Sequence, residues 1–146
     1  MKIIFSDIKK GEFSVKIENL DDLWYLNQII DSNDLVKGRT FRKIKIGMEV
    51  ERKQESVKKP VFLLIKVDKV EFSKYSNVLR ISGIIKEAPE DIPLGSYHTF
   101  NVEENSIITI TKEKWLKYQI DRLKEASEES ASKILICVHD REEAYF

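Results

Sequence analysis

Cysteine is nearly absent from this chain of 146 residues. Cys137 is the only one, which excludes an intramolecular disulfide and any zinc site built on several thiolates. Histidine is almost as scarce, with His98 and His139 alone. No apolar run approaches the ~20 residues that a membrane helix needs, and no signal-peptide pattern opens the chain. Net charge is lacking too, since 25 basic residues balance 25 acidic ones. These absences read as a cytosolic protein without a membrane span.

What is present suffices for a core. Apolar residues make up 42% of the chain, and the length accommodates one full domain with a fragment of a second. Charged residues reach 34%, above the roughly 25% of ordinary globular proteins. Nineteen of the 25 basic residues are lysine, a bias met in heat-adapted proteins.

The zero net charge hides an asymmetry. Between Lys37 and Lys59 nine basic residues face three acidic ones, a local +6 against −6 over the remainder. A cluster of this kind creates a positive field that the net value conceals.

Periodicity predicts a β-rich domain with two helices. Residues 1–18 read as two short strands around "KKG", with Phe13, Val15 and Ile17 on one face. "NLDDLWYLNQII" reads as a helix capped by Asn19, with Asp21 and Asp22 at its positive end and Leu23, Leu26 and Ile30 on one stripe. "DLVKGRTFRKIKI" alternates like a strand entering a lysine-rich loop, and the segment after Pro60 is strongly β-like. There the apolar parity switches between Val67 and Val70, which predicts a bulge near Asp68 and Lys69. "VLRISGIIKE" is the returning strand, and "SYHTFNVE" with "SIITITK" reads as a further hairpin. A second helix is expected from a cap at Thr111, with Leu116, Ile120 and Leu123 inward. "SEESAS" reads as a linker, followed by a fresh apolar strand in "KILICVHDREEAYF". Trp24 and Trp115 are expected in the core, docking the helices. The sum is a small, strongly bent sheet or barrel.

Three constellations could carry chemistry. Ser96, Tyr97, His98 and Thr99 suggest a triad, but in a strand Ser96 and His98 share one face and no nucleophile elbow forms. The expectation is a structural strand. Asp21 and Asp22, with Asp7, Asp31 and Asp34, could supply oxygen ligands to a divalent ion. Adjacent aspartates on a helix point about 100° apart, so capping explains them better. The basic segment 37–59 fits phosphate backbones through charge neutralisation and counterion release. Within it Phe41 could stack on a base, although a strand setting favours a core role.

Several segments together resemble the Pelota family, in particular its archaeal members. "MKIIFSDIKKGEFSVKIENLDDLWYLNQII" is similar to the opening of these proteins. "VEFSKYSNVLRISGIIKEAPEDIPLGSYHTFNVEENSIITITKEKW" resembles the later part of their first domain, with "PLGSYHTFNVE" the most characteristic piece. The resemblance covers residues 1–126 and the stretch 133–146. It implies a mainly β, α+β first domain with an Sm-like small β-barrel at 1–126, a linker at 127–132, and the start of a truncated central domain at 133–146.

The resemblance also implies a role. Pelota proteins are release-factor relatives that enter stalled ribosomes beside an elongation-factor-type GTPase. They promote subunit separation with an ABC-type recycling ATPase, in mRNA surveillance and no-go or nonstop decay. Basic loops of the first domain reach rRNA and mRNA at the decoding site. Carried over, the RNA-binding positions are Arg39, Arg42, Lys43 and Lys45, with Arg52, Lys53, Lys58 and Lys59. No cofactor is expected, and the chain is expected to be a monomer in the cytoplasm. An alternative implied by the family is an endoribonuclease dependent on a divalent metal cation, for which the residues offer no catalytic constellation.

Overall fold

The structure, a computed structural model, describes residues 1–46, 55–73, 75–128, 138–139, 141 and 144–145. The chain opens with β1 (Lys2–Asp7), β2 (Glu12–Lys16) and helix α1 (Leu20–Ile29). Two long strands follow, β3 (Leu35–Ile46) and β4 (Glu55–Ser73), then β5 (Val78–Glu87), β6 (Tyr97–Val102), β7 (Ile107–Thr111) and helix α2 (Lys117–Ser127). The seven strands make one antiparallel sheet in the order β1-β2-β7-β3-β4-β5-β6, and a separate two-stranded sheet pairs β8 (Val138–His139) with β9 (Ala144–Tyr145). The domain is therefore mainly β with two helices, as its sequence predicts.

Alternation builds the core. Phe13 and Val15 on β2, Ile108 and Ile110 on β7, and Leu63, Ile65 and Val67 on β4 are buried, joined from α1 by Leu23, Leu26 and Ile29. Each such side chain contributes ~1.5–3 kcal/mol of transfer free energy, most of it offset by lost chain entropy. Helix α1 starts as its sequence predicts. The Asn19 side chain accepts from the Asp22 amide (3.0 Å), and the Asp22 carboxylate accepts from the amides of Glu18 and Asn19 (2.8 and 3.2 Å). Asp22 is itself buried, because the Met1 α-ammonium donates to its Oδ1 (2.8 Å) and to the Ala126 carbonyl (2.7 Å).

The expected bulge is present. The β4–β5 register slips between Val67 and Lys69. The slip frees backbone groups for the loop after α1: Asn33 donates to the Val67 carbonyl, Val67 to that of Asp34, and Ser32 Oγ to that of Asp68. Opposite the bulge Gly83 packs so close that a Cβ there would overlap the Lys66 carbonyl oxygen.

Four expectations are corrected. β6 and β7 form no hairpin: β6 pairs with β5, while β7 lies between β2 and β3. After β6 the chain turns at Asn105, in the left-handed region, and the Asn105 amide bonds the Ile17 carbonyl while Ile17 donates to that of Ser106. This hands the apolar "IITIT" to β2 and gives both its edges a partner. Thr111 ends β7 and caps nothing, since α2 begins at Lys117 after Leu116. Its buried positions are Gln119, Leu123 and Ala126, with Leu116 exposed. Trp115 precedes the helix, half-buried edge-on against Phe13, its indole donating to the Gly11 carbonyl (2.7 Å). Trp24 is 53% exposed, its ring edge-on to Phe72.

Candidate nucleic-acid interface

The basic segment is not a loop but mostly the two arms of a ribbon. β3 pairs with β4 from Leu35↔Lys66 to Ile46↔Glu55, well past the end of the core. Pro60 sits within β4, opposite Phe41. Val61 is the first residue of β4 described as buried, and Lys58, Lys59 and Pro60 are exposed. On β3 the last residue described as buried is Gly38. Beyond these points Arg39, Phe41, Lys58, Lys59 and Pro60 are exposed, while Thr40 and Arg42 are half-buried.

Antiparallel pairing places opposed residues on the same face. Arg39 stands opposite Phe62, and Phe41 two residues on shares the face of Arg39. Both rings point outward: Phe41 is 66% and Phe62 64% exposed, so Phe41 is not a core residue. Arg39 and Lys58 are exposed beside them. Lys43 stands opposite Lys58 and Lys45 opposite Ser56 in the register. Arg52 and Lys53 lie outside the described residues.

Arg42 faces the other way. Its Nη2 donates to Ser96 Oγ (3.1 Å), and Nη1 is buried without a hydrogen-bond partner among the described residues. Two residues back, Thr40 Oγ1 meets His98 Nε2 at 3.1 Å. A Cβ on Gly38 would touch the Phe100 ring. The positions 38/100, 40/98 and 42/96 form an antiparallel succession, so β6 curls back along the free edge of β3 and is joined to it by side chains. Ser96 and His98 both bond into this seam. Tyr97 and Thr99, on the opposite face, are engaged as well: Tyr97 donates to Asp68 (3.0 Å) and Thr99 shares a hydrogen bond with Ser82 (2.8 Å). Burial first, and the Arg42 guanidinium second, hold the His98 imidazole below its usual range.

Arg80 and Asn101, which no sequence pattern singles out, join Arg39. They are paired across β5 and β6, and with Phe41, Lys58 and Glu103 they line a groove of about 600 Å³. Arg80 is remote from the basic segment in the chain, and only the curl of the sheet unites them.

The carboxylates considered as metal ligands are scattered and engaged. Asp7 accepts the amides of Lys9 and Lys10 in the β1–β2 turn, and Asp22 holds the α-ammonium. Asp31 and Asp34 both grip the buried Lys112 ammonium, which also lies 5.5 Å from the Trp115 ring centre. Gln119 adds a bond to Asp31 (2.6 Å). Burial lifts the Asp34 carboxyl above the usual carboxylate range, outweighing the pull of Lys112. Among the described residues, no three metal-ligating side chains converge. No described helix is long and apolar enough to cross a membrane.

A model of the Pelota N-terminal domain matches residues 1–127. The Pelota homologue of Pyrococcus horikoshii is 43% identical over 145 residues, covering 97% of this chain and 41% of the relative. Among solved structures, a model of ribosome-bound archaeal Pelota with ABCE1 superposes with a TM-score of 0.75 at 41% identity, covering 92% of this chain and 37% of that one. Saccharomyces cerevisiae Dom34, described as a translation termination-like factor in RNA quality control that interacts with Hbs1, gives a TM-score of 0.65 at 26% identity, covering 86% and 32%. The chain thus spans about two fifths of the length of the curated relative it matches. It belongs to the Pelota family, whose N-terminal domain it carries.

Proposed function

We propose that this chain is the RNA-facing domain of a ribosome-rescue factor, acting in the cytoplasm on stalled ribosomes and in mRNA surveillance. The observation that carries the reading is the ribbon: a projecting β3–β4 hairpin, rich in cations and thrust clear of the core, beside a domain otherwise net acidic. Such a ribbon can enter a narrow RNA-walled space and neutralise phosphates there. Arg39 and Lys58, with Lys43, Lys45, Lys59, Arg52 and Lys53, would contact rRNA and mRNA at the decoding site. Arg42, tied to Ser96, would serve mainly to set the ribbon's base. The curl of β6 onto β3 supports an Sm-like barrel as the platform.

The partners follow from the relatives. The likeness to a ribosome-bound Pelota with ABCE1, and to Dom34 with Hbs1, supports an ABC-type ATPase and a translational GTPase as partners of the whole protein. The single domain would act as a monomer. The ribonuclease alternative finds no support in the placement of the aspartates described above.

A salt series tests the reading. Binding of this chain to a single-stranded RNA should weaken with salt, with a log–log slope of about −0.7 for each phosphate neutralised. Arg39→Gln with Lys58→Gln should lower the slope by about 1.4 and leave the thermal melt unchanged. An affinity indifferent to salt, or to both substitutions, would overturn the proposal.

A further inference from the structure

Two phenyl rings stand in water on the outward face of the ribbon, Phe41 on β3 and Phe62 diagonally across on β4. Phe41 also overhangs the groove lined by Arg39, Lys58, Arg80, Asn101 and Glu103. Exposed aromatic rings on one face of a ribbon can mark a contact site. The question is what occupies it.

Charge and shape narrow the occupant. Three cations face a single carboxylate, so the ligand is anionic. Asn101 offers a carboxamide with both donor and acceptor, opposite Arg80 in the β5–β6 ladder. A phenyl face bounded by guanidinium and ammonium groups fits a nucleobase flanked by phosphates, the combination by which single strands are held. A duplex offers phosphates but hides the faces of its bases. We propose that this groove takes one unpaired RNA nucleotide, its base lying against Phe41, its edge within reach of Asn101, and its flanking phosphates on Arg39, Lys58 and Arg80.

This inference rests on the phosphate-binding reading above and adds to it a preference for unpaired bases. The domain then distinguishes a single-stranded stretch from a helical one by stacking, whereas the cations alone would bind both.

The experiment compares three fluorescein-labelled RNAs by anisotropy: a ten-residue oligouridylate, an abasic strand of the same length, and a blunt duplex. The proteins are the unaltered chain, Phe41→Leu and Phe41→Trp. The unaltered chain should bind the oligouridylate roughly 5- to 100-fold more tightly than the abasic strand, the margin that stacking one base on an aromatic ring supplies. Phe41→Leu should lose that margin and keep its salt slope and melting temperature, because the ring is exposed; Phe41→Trp should retain the margin. Equal binding of the oligouridylate and abasic strands with a steep salt slope would overturn the nucleotide site alone. An acidic peptide that binds more tightly than any RNA would overturn it in favour of a protein partner. Failure of every strand to bind would remove the phosphate-binding reading as well.

Discussion

Replacing Lys112 by Met keeps the side chain's apolar stem and deletes its charge, which isolates the contribution of one buried ion cluster. The ammonium is 5% exposed as a residue and is held by Asp31 and Asp34. Removing one member of a buried pair costs ~3–5 kcal/mol, because the other charge is left without compensation. Here the two acids differ. Asp31 is half exposed and can return to water, whereas Asp34 cannot. The lower end, about 3 kcal/mol at pH 7, is therefore expected. For a domain of this size that is a loss of roughly 6–12 °C in melting temperature.

The pH dependence makes the test sharp. Burial already raises the Asp34 carboxyl in the intact protein, and without Lys112 it rises further. The unfolded chain releases that proton in the ordinary carboxylate range, while the fold retains it. Stability of the variant accordingly falls as pH climbs through this interval and is flat above it. The cost of Lys112→Met should be small near pH 4 and full at neutrality. Adding Asp34→Leu to the variant removes the stranded charge and should recover much of the loss. Urea unfolding followed by circular dichroism at several pH values reads all of this. A cost below ~1 kcal/mol at pH 7, or one that does not change with pH, would refute the assignment of Lys112 as the counter-charge of Asp34.

Two further outcomes follow from local geometry. Gly83→Ala should cost several kcal/mol or prevent folding, since its Cβ would overlap the Lys66 carbonyl; a melting temperature within ~2 °C of the parent would show that β4 shifts freely there. His98 is held below its usual range, so its neutral form belongs to the fold. Stability should be full above about pH 6.5 and fall as pH drops beneath it, where the unfolded chain takes up a proton that the fold resists. His98→Gln should flatten this decline in a pH series of urea melts, and an unaltered decline would assign it to other groups.

Much of the fold was legible wherever the determinant is local. The Asn19 cap, the alternation of β2 and the parity switch at Asp68 each depend on a few neighbouring residues, and each is found where expected. The errors share a different cause. "SIITIT" is apolar enough for a strand, but pairing with β6 or with β2 is decided by the Asn105 turn and by Ile17, far away in sequence. Phe41 and Trp24 are aromatic in elements that elsewhere bury apolar residues; Phe41 lies past the point at which the core stops, and Trp24 lies on the outer face of α1 between the buried Leu23 and Leu26. The basic arms of the site were visible as composition. Arg80 and Asn101 were not, because they enter through curvature that no window of sequence contains.

The length of the ribbon has a consequence for how this domain can change. From Val61 to Glu55 the β4 arm extends six residues past the core, ~20 Å at ~3.3 Å per residue. Lys58, Lys59 and Pro60 on this arm are exposed, so drift in their identity is nearly invisible to folding. On the proposed reading, selection for recognition and selection for stability therefore act on largely separate positions of one chain. Substitutions at the exposed positions of the arms can accumulate and, on the proposed reading, retune which RNA surface is gripped, with no compensating change in the sheet beneath. A library varied at these positions would be expected to retain soluble, folded protein across most of its members while its affinities spread widely.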